Sequence, residues 1–177
     1  MGAVLLLLLL SFFDDSAKHS KDHPAYPVQY DVQSFEDQGR DHIERGAVFN
    51  SYNSNPPTSG PHGPLAPWGV SDGPVAKESA VHNMEHGGVV VWYDCEAGAA
   101  PLDVAGCDQL RADLAGVVDS RRDEGMFVLM TPYSGMDSRI VLTAWQYLDA
   151  FDEFDAARLE AFIVSFECRF DPERACG

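Results

Sequence analysis

Basic residues are scarce in this chain. Twelve lysines and arginines stand against 28 aspartates and glutamates, a formal charge of −16 at pH 7 with a pI near 4.5. Such a surface repels phosphate backbones, and Arg121-Arg122 is the only basic cluster to offset it. Nucleic acids and anionic membranes are therefore excluded as expected partners. Long apolar runs are missing too: the stretch from Ala3 to Phe13 is too short for a span of roughly 20 residues. There is no Cys-x-x-Cys pair, no Gly-x-Ser-x-Gly elbow and no His-Glu-x-x-His helix. The Gly87-Gly88 pair follows a predicted helix instead of opening one, so it is no phosphate cradle. Ser59, in Thr58-Ser-Gly-Pro61, is explained by turn geometry.

What the chain does have fits one domain. Its 177 residues are 45% hydrophobic and 23% charged, ordinary globular values. The apolar Ala3–Phe13 stretch has the length of a signal-peptide core, so residues 1–17 read as a leader, although no Lys or Arg precedes it. Residues 18–40 are polar and aperiodic and read as a linker, leaving 41–177 as the globular domain. His19 and His23 fall in that linker and read as solvated. Four cysteines form two local pairs, Cys95 with Cys107 and Cys168 with Cys176. Local disulfides are the expected connectivity of the three possible, and they suit an extracytoplasmic or secreted location.

The pattern along the chain predicts an α+β fold, with a small, mainly antiparallel sheet flanked by two or three helices and a long Pro/Gly-rich loop. A short strand is expected over 42–50, and the loop is Asn53–Gly69, with proline or glycine at eight of its positions. Lys77–His86 predicts a helix stopped by Gly87-Gly88, and Val89–Tyr93 a central strand. A helix capped by Asp108 is expected to run to about Ser120, followed by strands at Met126–Met130 and Ile140–Tyr147. Leu159, Phe162, Ile163 and Phe166 repeat at helical spacing in a last helix from about Asp155.

The candidate chemistry lies in the histidines. In a helix His82 and His86 share one face, one turn apart; extended, His82, Met84 and His86 share a face instead. Either conformation gives a chelating pair, and His62 in the rigid loop offers a third nitrogen. Glu85 directly precedes the second histidine, unlike the glutamate of a zinc hydrolase, and is expected off the metal-binding face. From there it would orient a ligand or cap a nearby donor. Met130 and Met136 lie in the strand and loop Leu129–Met136, and thioether with imidazole suits copper, Cu(I) above all. Copper is thus the first expectation and zinc the second.

Several of these stretches resemble a known family. They are Tyr52-Asn-Ser-Asn-Pro-Pro-Thr-Ser-Gly-Pro-His62, Val81-His-Asn-Met-Glu-His-Gly-Gly-Val-Val-Val-Trp-Tyr93, Thr131-Pro-Tyr-Ser-Gly-Met136 and Leu142-Thr-Ala-Trp145. In this order they resemble the family called domain of unknown function 3105, over about residues 40–166. The resemblance implies a compact, often exported bacterial domain without an assigned activity, and it carries His62, His82 and His86 across as one site. Met84 stands where similar sequences often have Leu, and the Cys95–Cys107 segment resembles a cysteine-bearing variant of the loop after the strand. The expected function is an exported metal-binding protein, for delivery or sequestration, with a His62/His82/His86 site completed by Met130 or Met136. Its alternatives are a metal-dependent hydrolase or oxidase with an open coordination position, and a non-metal interaction domain.

Overall fold

Val89–Tyr93 is buried at every residue, as a strand walled on both sides must be, and the sheet is built around it. In the computed structural model, which describes residues 23–177, the strands are β1 (Gln33–Ser34), β2 (Gly69–Val70), β3 (Val89–Tyr93), β4 (Val128–Pro132), β5 (Ile140–Ala144) and β6 (Tyr147–Phe151). The leader expected at residues 1–17 lies outside the described residues. Helices α1 (Lys77–Glu85), α2 (Val104–Asp123) and α3 (Ala156–Phe166) complete an α+β fold. The six strands form one mixed sheet in the order β1-β6-β5-β3-β4-β2. Three of its pairings are antiparallel, and β4 pairs in parallel with both β3 and β2. Parallel neighbours need a crossover, and α2 supplies it between β3 and β4.

Alternation along the strands divides the core in two. Val89, Val91, Tyr93, Val128, Met130, Ile140 and Leu142 pack with Leu110 and Leu114 of α2 and Leu159, Phe162 and Ile163 of α3. Val90, Trp92, Leu129 and Val141 point the other way, to Ala80, Val81 and Met84 of α1, and to Ala66. One face of the sheet thus carries two helices, and the opposite face carries α1 and the Pro/Gly-rich segment.

Three local expectations change. Helix α2 is capped by Asp103, whose side chain accepts from the Gly106 N–H, and not by Asp108. Its first turn is largely exposed, so the apolar spacing from Leu110 onward gives no sign of it. The strand expected over 140–147 is two strands, β5 and β6, turning at Trp145-Gln146. That turn lacks the usual Asn-Gly signal. Gln146 adopts φ 69°, held by its N–H donating to the Thr58 carbonyl (3.1 Å) and its carbonyl accepting from the Phe35 N–H (2.9 Å). The strand expected over 42–50 shrinks to a single bridge between His42 and His62. The segment before it reaches the sheet, for β1 pairs with β6, and the Tyr26 hydroxyl donates to the buried Asp149, which Arg158 also binds.

Candidate metal centre

Helix α1 presents His82, Glu85 and His86 together, because positions i, i+3 and i+4 are neighbours on a helix surface. The expectation that Glu85 points off the metal-binding face is therefore wrong, since a residue three positions on returns to the same side. Gly87, at φ +81°, ends the helix. Gly88 has no room for a side chain: a Cβ there would lie 2.4 Å from the Trp68 ring. These two glycines turn the chain straight into β3, so the three side chains sit at a rigid helix end against the sheet.

The Pro/Gly-rich segment is clamped onto this helix. Asn83 accepts from the Ala66 N–H (3.0 Å) and donates to the Ala66 carbonyl (3.1 Å), while Gly63 N–H donates to the Glu78 carbonyl (3.2 Å). Tyr52 holds Pro61 through its carbonyl (2.5 Å). His62 is thereby fixed against α1, with its ring centroid 4.8 Å from that of His82. The bridge then brings in His42: Ile43 N–H donates to the His62 carbonyl and His62 N–H to that of Asp41. The His42 ring lies 4.7 Å from His62 and 5.0 Å from His82.

The proton inventory defines the centre. His62 Nδ1 is 2.9 Å from the Gly60 carbonyl and His82 Nδ1 is 2.6 Å from the Gly63 carbonyl. A carbonyl only accepts, so each Nδ1 carries a proton and Nε2 is the nitrogen left to meet a ligand. Backbone carbonyls orient metal-bound imidazoles in this way. His62 Nε2 lies 2.9 Å from Glu85 Oε2, with the side chains 0% and 2% exposed. Neither atom has a hydrogen-bond partner. A proton on Nε2 makes this an ion pair; without one, two buried acceptors face each other, an arrangement that a bound cation relieves. The pKa of His82 is lowered, chiefly by burial and further by the neighbouring histidines, against the opposing pull of the Gly63 carbonyl. That keeps the ring neutral and able to coordinate.

Two overlapping groups of donors result. His42, His62, His82 and Glu85 form the first; His82, Glu85, His86 and Glu173 form the second, with the ligand atoms of each group within 4.8 Å of one another. His86 Nε2 is 3.1 Å from His82 Nε2 and 2.9 Å from Glu173 Oε2. Glu173 belongs to a C-terminal segment closed by the Cys168–Cys176 disulfide and tied to the helix end where Cys168 N–H donates to the Gly87 carbonyl (2.7 Å). Both expected disulfides, Cys95–Cys107 and Cys168–Cys176, are formed, so no described cysteine is left as a thiolate ligand.

Of the residues expected from sequence, His62, His82 and His86 thus come together. Met130 faces α2 and α3, on the side of the sheet away from the histidines, and Met136 is buried in the apolar cluster of the α1 face. Packing accounts for both. His42, Glu85 and Glu173 join this group of possible donors without having been expected there as ligands. Counting offered one clue to His42: of six histidines, the four that lie beyond residue 40 are the four in the cluster.

Residues 42–176 match the family described as protein of unknown function (DUF3105). The chain belongs to this family. The match begins at His42 and ends three residues after Glu173, so all six donors of this DUF3105 domain lie within it. No curated protein and no solved structure matches the chain. Among the described residues no helix is long and apolar enough to cross a membrane.

Proposed function

We propose that this DUF3105 domain is an extracytoplasmic metal-binding protein whose ion sits among His42, His62, His82 and Glu85. The observation that carries the reading is the buried contact of His62 Nε2 with Glu85 Oε2 at 2.9 Å, in which neither atom makes a hydrogen bond. Two ligands about 2.1 Å from one ion lie about 3 Å apart at a right angle and about 3.4 Å apart at the tetrahedral angle of zinc, so the contact would open slightly to admit zinc. The contact has the spacing of two adjacent ligands. Imidazole and carboxylate favour a divalent ion, and with both methionines in the core the case for Cu(I) weakens. Cu(II), the tightest binder of the first-row series, and zinc are the ions this donor set suits. Two disulfides among the described residues support a location outside the cytoplasm. Delivery or sequestration needs no more than this centre.

The exposure of His42, 57% at its side chain, favours a second reading. The centre opens to solvent at that edge, where a bound water would make the ion a hydrolytic or oxidative catalyst.

The test is elemental analysis of untagged protein, followed by titration of the apo protein with zinc or Cu(II). At least one equivalent is expected, and His62→Ala or Glu85→Gln should weaken binding roughly 100-fold, about 2.8 kcal/mol. Wild-type protein that takes up no stoichiometric metal would refute the proposal. Turnover of a test ester or an oxidisable substrate by the loaded protein, lost in Glu85→Gln, would favour the enzyme.

A further inference from the structure

We infer that the cluster is built for two ions bridged by Glu85, the outer one completed by the C-terminal segment through Glu173. This rests on the metal reading above and extends it. The six donors fall into two overlapping groups of four, and His86 and Glu173 join His82 and Glu85 without joining His42 and His62. A single ion at the inner group leaves His86 and Glu173 as a plain ion pair beside it. Only His82 and Glu85 are shared, and they differ in what they can share. His82 has its Nδ1 committed to the Gly63 carbonyl, so its one free nitrogen serves one ion. Glu85 has two oxygens, and a carboxylate reaches one ion with each. The inner ion takes His42, His62, His82 and one Glu85 oxygen; the outer takes His86, Glu173 and the other oxygen. Two such ions stand roughly 3.5–4 Å apart in bridged centres.

The second position is constructed, which a solvated tail would not require. Residues 168–176 are closed by the disulfide, and Asp171 accepts from the N–H groups of Ala175 (2.7 Å) and Cys176 (2.9 Å). The bond from Cys168 N–H to Gly87 fixes this loop at the C-terminal end of α1. There Glu173 Oε2 is set 2.9 Å from His86 Nε2. Arg40 Nε stands 3.9 Å from Glu85 Oε1 and is half-exposed, so it can turn out to solvent when an ion arrives.

Zinc bound per chain decides the matter, counted by native mass spectrometry on the full chain, with a His19→Ala/His23→Ala background to remove the histidines before residue 40. Two zinc ions are expected, falling to one in His86→Ala/Glu173→Gln, whose side chains are exposed enough for the fold to tolerate the change. With two equivalents of Cu(II), a carboxylate bridge couples the spins, so the integrated paramagnetic resonance signal should fall well below the copper content. That deficit should vanish in the double variant. One zinc in both wild type and double variant, or an undiminished copper signal at two equivalents, overturns the dinuclear assignment and leaves the single-ion reading standing. No bound zinc or copper at all overturns both.

Discussion

The two faces of the sheet are walled by the same strands and serve different ends. Toward α2 and α3 the core is mainly apolar, with Leu114, Leu159, Phe162 and Ile163 among its largest members, and β6 adds the buried Asp149, held by Tyr26 and Arg158. Toward α1 the wall holds Trp92 and Leu129, but also buried Thr58, Ser59, His62, Asn83, Glu85 and Thr143. Most of these polar groups are partnered: Trp92 Nε1–H donates to Thr143 (2.7 Å), and Asn83 binds the Ala66 backbone twice. His62 Nε2 and Glu85 Oε2 make no hydrogen bond and face each other at 2.9 Å. Both faces bury charge, but on the first Asp149 is bonded by Tyr26 and Arg158, whereas on the second the His62–Glu85 contact makes no hydrogen bond. That contact is the ground for proposing a ligand there, because buried polar groups without hydrogen bonds are tolerated chiefly where they act.

Phe162→Ala on the helical face should have the largest effect on stability. Its ring is fully buried among Tyr26 and Phe166, with centroids at 5.5 and 4.5 Å. Truncation leaves a cavity, and the cost should be about 3–5 kcal/mol by urea denaturation of the apo protein. Zinc bound per folded molecule should not change. A weakened zinc affinity at full folding would show that the two faces are coupled. Glu85→Gln, the variant expected to lose metal, should do the reverse and leave the apo melting temperature intact or higher.

The Cys168→Ser/Cys176→Ser double variant comes next, since this bridge closes the segment that carries Glu173. Closing so short a loop, at a sequence separation of 8, contributes about 2–3 kcal/mol in the chain-entropy account. Denaturation under non-reducing conditions should show a loss no larger than that. Glu173 should then lose its fixed place, so that outer-ion affinity falls while the inner ion stays. Equal loss of both ions would argue against two separable positions.

The same division explains what sequence could reveal. The helical face was legible because burial imposes a period: Val89–Tyr93 reads as a central strand, and the spacing of Leu159, Phe162 and Ile163 fixes α3. His82 and His86 were legible for the same reason, being one turn apart. Glu85 was misjudged although the same helical geometry applies at a spacing of three. His42 and Glu173 carry no local signal, since one arrives through a single-residue bridge and the other through a disulfide-closed loop. The β5–β6 turn was missed for a similar cause, Gln146 being held by Thr58 and Phe35 from distant segments.

Methionine gives the smallest expected effect and the cleanest separation of the faces. A thioether ligand would make copper the natural cargo, and Met130 and Met136 invited that reading from sequence. Strand parity decides the position of Met130: Val128 and Met130 face α2 and α3, while Leu129 between them faces α1. A ligand role would require β4 to slip by one residue, and its register against β3, with Val91 opposite Met130, forbids that. Met136 is on the α1 side but is 6% exposed within the apolar cluster. Leucine nearly conserves the volume, so Met130→Leu and Met136→Leu should each cost less than about 1.5 kcal/mol. Cu(II) and zinc content should match wild type in both. Loss of copper alone in Met136→Leu would restore a thioether to the centre and move the preferred cargo back toward Cu(I), whereas unchanged content leaves metal selection to imidazole and carboxylate.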